Sequence, residues 1–444
     1  MGISCQCPTF LVGQLFLSAN HLPMKINVKR STKFFLFNIC IAILTVSCHH
    51  GKGDTANQND RKPTQTEIHK IKKATFYLEN SESMFGYVSS ITDYVDVVAE
   101  LAAQPELVKE STPLDFYFIN GDKPTLTSIG KDPLILKNKL NVQGFNCGDI
   151  TKSNLNAMFQ VALQNAKDSN VSILISDGIY DIGGQGIQTL VTSGKDTRSQ
   201  FIKRLMTGDL QTIMIKLNSK FSGKYFYASK RGEVRINSTR PYYIWIFGES
   251  KLLNKYYTNQ YISTQLKGYE TMARFMKPGT GSIQYQATSE HSVGTFKFDK
   301  RAVNSLEDAQ KDRHGLGFQF SIAVDYSALP FSEAYLTSPA NYTINNNYSI
   351  VSIKKITKRI FAVPFPATHL ITVQTKNSPL GTLSVSIKNN VPPWIATTDS
   401  NTEANIQTDT KHTFGLRYLT KGIIEAYESM SNDQNIANLK IEIR

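Results

Sequence analysis

Side chains carrying oxygen recur at alternate positions in Thr75-Phe-Tyr-Leu-Glu79-Asn80-Ser81-Glu82-Ser83-Met84-Phe85-Gly86. A short apolar run leads into them. About ninety residues later a second apolar run, Val171-Ser-Ile-Leu-Ile-Ser176-Asp177-Gly178, ends in another carboxylate. Two strands that carry hydroxyls and carboxylates to one sheet edge suit a hard cation. Mg²⁺ takes near-octahedral oxygen coordination, keeps several waters and uses one or two carboxylates. Open α/β sheets bind ligands at the carboxyl ends of their strands, where both stretches would lie. A cation held mainly by neutral hydroxyls stays electron-poor and favours an acidic group from a partner as its last ligand.

The elements that must position these residues alternate between about residues 72 and 265. Ala74–Leu78, Leu114–Ile119, Val171–Ile175, Gln211–Leu217 and Tyr242–Phe247 read as strands. Tyr94–Leu107 and Leu155–Ala166 carry apolar residues at helical spacing, Phe201–Met206 reads as a short helix and Leu252–Leu266 as a closing one. Such alternation requires crossover connections, so the expected fold is α/β, with a doubly wound, mostly parallel sheet covered on both faces. Gly183-Gly184-Gln185-Gly186 is expected to form a loop beside the site. Beyond about residue 270 the pattern turns to short β segments, Gly317–Tyr326, Tyr348–Ile356, His369–Thr375, Leu383–Lys388 and Ile436–Ile443. With the amphipathic stretch from Tyr418 to about Ser429, they predict a β-rich second domain with one packed helix. The expected domains are 72–268 and 269–444.

Over roughly residues 72–265 the chain resembles the von Willebrand factor A family, whose fold is Rossmann-type. That family places Asp-x-Ser-x-Ser after its first strand, a Thr before a central helix and an Asp at the end of a later strand, together forming a metal-ion-dependent adhesion site. The counterparts here are Glu79-Asn80-Ser81-Glu82-Ser83, Ser153-Asn154-Leu155-Asn156-Ala157 and Ile173-Leu174-Ile175-Ser176-Asp177-Gly178. Glu79 stands where the family has Asp, and Ser153 where it has Thr. The resemblance implies a divalent cation (Mg²⁺ or Mn²⁺, with Ca²⁺ as the alternative) held by Glu79, Ser81, Ser83, Ser153 and Asp177, with Thr151 as the fallback for Ser153.

Residues 1–47 contain no Asp or Glu and are read as a leader, with Met24 the better start. Lys25, Lys29, Arg30 and Lys33 precede an apolar stretch from Phe34 to Ser47, and Leu44-Thr45-Val46-Ser47-Cys48 resembles a bacterial lipoprotein signal. The apolar stretch is short for the roughly 20 residues of a bilayer span. Cleavage before Cys48 would leave a diacylated cysteine, and two acyl chains hold a protein stably to a membrane. Residues 48–71, poor in apolar side chains, are read as a flexible tether. The expected location is the bacterial cell envelope, at the outer membrane, periplasmic or surface-exposed.

Setting the four leader cations aside from the formal charge of +13 leaves about +9, spread over many lysines. A diffuse basic surface favours anionic neighbours, and with no helix-turn-helix or RNA-binding signature no nucleic-acid partner is expected. Cys147 is the only thiol beyond Cys48, so neither a disulfide framework nor a Cys/His zinc site can be assembled. Gly194-Lys195 lacks the rest of a phosphate loop, and neither Gly-x-Ser-x-Gly nor His-Glu-x-x-His occurs. The expected function is therefore non-enzymatic: an anchored lipoprotein that binds a protein or acidic glycan ligand. The alternatives are a metal-independent structural subunit of an envelope or secretion assembly and, more remotely, a metal-dependent hydrolase.

Overall fold

The computed structural model describes residues 69–279, 283–299, 301–327, 329, 331–345, 347–357, 363–390, 392–433 and 435–444. The expected leader, Met24, Cys48 and all but the last three residues of the expected tether lie outside these. Thr66–Arg444 form one compact unit.

The first half of the chain runs β1 (Lys73–Glu79), α1 (Asp93–Ala102), α2 (Pro105–Lys109), β2 (Leu114–Asn120), β3 (Thr125–Gly130), α3 (Pro133–Lys139) and α4 (Val142–Phe145). There follow α5 (Leu155–Asn165), β4 (Asn170–Ser176), α6 (Ile187–Leu205), β5 (Gln211–Phe226), β6 (Glu233–Gly248), α7 (Ser250–Tyr256), α8 (Asn259–Gln265) and β7 (Tyr269–Phe275). These strands form a seven-stranded sheet in the order β3-β2-β1-β4-β6-β5-β7. β1 and β4 are buried along nearly their whole length, as central strands covered on both faces must be. Phe76 and Leu78 face a layer built from α1, α2, α3, α4, α7 and α8, whereas Tyr77 faces the opposite layer with α5 and α6. Ile71, at the end of the stretch expected to be a tether, is 4% exposed and sits in the first of these layers.

The sheet is mixed, which corrects the expectation of a mostly parallel one. Only β1 pairs in parallel, with β2 and β4; the pairings β2–β3, β4–β6, β5–β6 and β5–β7 are antiparallel. The cause is the connection after β5. Instead of crossing over through a helix, the chain turns back at once into β6, giving a hairpin with sixteen residues in each arm. Only the inner half of each arm lies in the sheet, and the outer halves project beyond it.

The rest of the chain adds β8 (Gln284–Val293), β9 (Thr295–Phe298), β10 (Ser305–Gln310), β11 (Phe318–Asp325), α9 (Glu333–Leu336), β12 (Tyr342–Ile344), β13 (Ser349–Lys355), β14 (His369–Thr375) and β15 (Gly381–Lys388). It ends with α10 (Pro393–Thr398), the two-residue strands β16 (Asp399–Ser400) and β17 (Thr413–Phe414), α11 (Leu416–Glu428) and β18 (Asn435–Ile443). A five-stranded sheet, β12-β15-β18-β10-β9, and a four-stranded one, β13-β14-β11-β8, share a core that includes Phe320, Ile371, Val385 and Leu439. Not everything after residue 268 belongs to it. β7 is the edge of the first sheet, and α11 buries Leu419, Ile423 and Tyr427 in the α5–α6 layer, where the Tyr427 hydroxyl lies 2.8 Å from Thr212 Oγ1.

α6 and α11 cross where both have glycine. A Cβ on Gly422 would stand 2.3 Å from the Gly194 carbonyl oxygen, and one on Gly194 would stand 2.6 Å from the Tyr418 carbonyl oxygen. Backbone atoms cannot yield as a flexible side chain can, so either helix must shift to admit a methyl group. Gly422→Ala is expected to cost about 1–3 kcal/mol, read as a lowered midpoint in thermal unfolding. An unchanged midpoint would show that the crossing does not need this close approach.

Candidate metal centre

β1 ends at Glu79 and β4 at Ser176, and the two strands are neighbours, so the chain leaves both at one rim of the sheet. Beyond Glu79 the backbone passes through extended Ser81 into a single 3-10 turn, Glu82–Tyr87. Ser81 Oγ donates to Glu79 Oε1 at 2.9 Å and lies 2.9 Å from Ser83 Oγ. Ser153 Oγ donates to the same oxygen of Glu79. The Ser83 hydroxyl lies close enough to Asp177, and the Ser176 hydroxyl to Glu79, to favour the charged form of each carboxyl, and Asp177 Oδ1 accepts from Ile179 N at 3.2 Å. Glu79, Ser81, Ser83, Ser153 and Asp177 are thus brought into one cluster. Thr151 is not part of it: its exposed hydroxyl donates to Asp149 Oδ1 at 2.7 Å.

Two asparagines at strand ends hold the loop that carries Ser153. Asn80 Nδ2 donates to the carbonyls of Phe145 and Cys147 at 2.8 and 2.9 Å, and Asn120 Nδ2 donates to Cys147 O at 2.7 Å. Glu82 N donates to Ile150 O and Gly121 N to Lys152 O, each at 2.9 Å. Ser153 then forms a parallel bridge with Gly121 immediately before Asn154 caps α5 through a bond from Ala157 N. On the other strand, Gly178 has φ +74°, and a Cβ there would approach Tyr243 Cδ2 to 2.7 Å. Glycine lets the chain turn away directly after Asp177.

The electrostatics follow from burial. Glu79 is 2% and Asp177 7% exposed. Burial pushes the Asp177 carboxyl up to about 7; the Glu79 charge adds to the rise and the Arg240 guanidinium opposes it. Glu79 is likewise raised by burial, against the pull of hydrogen bonds from Ser153, Ser176 and Ser81. Two like charges so close disfavour each other's ionisation.

Arg240 was not foreseen from the sequence, nor were Phe221, Tyr225 and Glu403. The outer arms of the β5–β6 hairpin bring the first three over the 3-10 turn: a Cβ on Gly86 would collide with the Phe221 ring, and Arg240 lies 4.4 Å from the Tyr225 ring centroid. Glu403 fixes the arm's tip, accepting bonds from the Tyr225 hydroxyl, Ala228 N and Ser229 N. Period-two alternation in Phe221–Tyr225 and Val234–Ile236 is the signal that could have extended both strands. The Gly183–Gly186 segment meets this tip, Gly184 N donating to Ala228 O at 3.3 Å.

The donor set fits a small divalent cation by composition, with two carboxylates and three hydroxyls. It also fits by an unmet need: Glu79 Oε2 is buried with no hydrogen-bond partner. Among the described residues no three His, Cys, Asp or Glu side chains gather as a metal site, and this cluster has two carboxylates. No family model matches this chain, and no curated protein matches it.

The raised carboxyls carry a pH signature. Below about pH 4 both the folded and the unfolded chain hold these protons. As pH rises towards 7 the unfolded chain releases the Asp177 proton while the folded site retains it, so that proton costs the fold roughly 1.4 kcal/mol per pH unit. Above about 7 the loss is complete. In EDTA, Asp177→Asn is therefore expected to gain stability relative to the parent between pH 5 and 8, measured by denaturant unfolding. A difference independent of pH would show that Asp177 is held ionised throughout.

Proposed function

We propose that this chain is an anchored cell-envelope lipoprotein whose von Willebrand factor A-like domain binds a protein or acidic glycan ligand through a divalent cation. Glu79 and Asp177 would supply the charge, and Ser81, Ser83 and Ser153 the neutral oxygens. The bound cation would supply an electron-poor coordination position for a ligand carboxylate. The observation that carries the reading is the gathering of these five side chains about Glu79, whose Oε1 accepts from Ser81 and Ser153 while its buried Oε2 has no partner. The order of β2, β1 and β4, with helices on both faces, agrees with the resemblance; the antiparallel β6, β5 and β7 are this chain's own departure. Ser83 and Ser153 are only half-buried, so the cluster opens to solvent on their side. Attachment would be through Cys48, which follows the lipoprotein-like leader; among the described residues no helix is long and apolar enough to cross a membrane.

One observation favours a second reading, a metal-independent subunit of an envelope or secretion assembly. Arg240, 2% exposed with Nη1 unpartnered, already brings one positive charge towards Asp177. A buried cation in the chain can do part of what a metal would do.

Calorimetric titration with Mg²⁺, Mn²⁺ and Ca²⁺ separates the two. The first reading expects one site whose affinity falls at least about tenfold in Asp177→Ala, a change on the scale of perturbed metal shells. Silence with all three ions leaves the second. For the anchor, Cys48→Ser is expected to move the protein from the membrane to the soluble fraction of its native host. Continued sedimentation with membranes would rule out attachment through that cysteine.

A further inference from the structure

A groove of the described surface opens beside the cluster, sharing only Ser153 with it. α5 and α6 run side by side in the same direction. Asn156 Nδ2 donates to Ser193 O near their starts, Phe159 meets Phe201 edge-on at 5.9 Å, and Arg204 bonds to Ala166 O near their ends. Above these contacts the helices leave a groove of about 1130 Å³, running from Ser153 to Lys167 and Thr207. That lies just above the range of about 300–1,000 Å³ usual for a small-molecule site.

Its lining selects among polymers. Gln160 and Gln164 stand one turn apart on α5 and are exposed; Gln200 on α6 faces the same groove, with its Oε1 buried and unpartnered. Each carboxamide offers a donor and an acceptor, the pair a peptide group also presents. Lining charges are of both signs, Lys152, Lys167, Lys203 and Arg204 with Asp122, Asp181 and Asp196, which disfavours a polyanion. Tyr180 is the one aromatic ring among the described lining residues; it is 4% exposed with its hydroxyl against Thr197, so it offers no stacking face to a sugar. From Asn156 to Asn165 the helical rise gives about 14 Å, room for about four residues of extended chain.

We propose that the α5–α6 groove binds an extended polypeptide segment, its backbone amides paired with Gln160, Gln164 and Gln200. The segment lies with an acidic side chain towards Ser153. Only this acidic end rests on the cation reading; the groove itself does not need it.

The test is selection of phage-displayed random 12-residue peptides on the full-length protein in detergent with Mg²⁺, followed by fluorescence anisotropy of the synthetic peptides. Gln160→Ala/Gln164→Ala, an exposed pair outside the core, is expected to weaken binding at least tenfold with an unchanged thermal midpoint. Asp177→Ala and EDTA are expected to weaken only peptides that contain Asp or Glu. Peptides that bind the parent and Asp177→Ala equally, but not the glutamine double variant, keep the groove and discard the cation. Failure to select any peptide, or selected peptides indifferent to the double variant, overturns the proposal. An oligosaccharide array signal removed by the double variant overturns it in favour of a glycan.

Discussion

Two carboxylates withdrawn from water at neighbouring strand ends are the constraint around which this half of the molecule is built. A buried carboxylate needs a proton, a counter-charge or hydrogen-bond donors to replace its hydration. Here all three contribute. Hydroxyls from Ser81, Ser153 and Ser176 serve Glu79, Ser83 serves Asp177, and Arg240 adds a positive charge from the far side. Glu79 still keeps one oxygen without a partner. The asparagines at the ends of β1 and β2 then make sense as struts: without Asn80 and Asn120 binding the loop at Phe145–Asp149, Ser153 would have no fixed place beside Glu79.

The roof over this cluster is made by chain from two distant regions. The β5–β6 arms close over the 3-10 turn, and residues 399–414 run along them. Thr410 Oγ1 donates to Thr239 O, Thr413 Oγ1 lies 2.8 Å from the Tyr243 hydroxyl, and Glu403 accepts from the hairpin tip. Glu403 is itself 4% exposed, so the polar contacts that hold the roof are dry. Hydrogen bonds in such surroundings are strong when complete and costly when one partner is removed.

What could be read in advance followed from local pattern. The apolar runs of β1 and β4 and the residues leaving them were visible as strand followed by polar turn, and the stripe Leu419, Ile423, Tyr427 marked a helix. Its covering surface was not visible, because an apolar face shows only that something packs on it. Most of α6 was missed for a physical reason. Thr189, Val191, Thr192, Gly194 and Thr197 all lower helix propensity, yet Gly194 is what lets α11 approach. The mixed sheet was missed because the outer hairpin arms are polar on one side and read as loop. Arg240 went unnoticed for the same cause, since it matters only once those arms fold over Tyr87 and Asp177.

The position of α11 bears on when the first sheet can be completed. Its partners, Phe201, Thr212 and Phe275, precede it by some 150 to 220 residues. The part of the first sheet at Thr212 and Phe275 stays open until nearly the whole polypeptide has emerged, whereas Phe159 of α5 covers Trp245 earlier. Contacts of such separation form late and slowly, so the layer around Tyr427 closes only after the intervening β sheets have been synthesised.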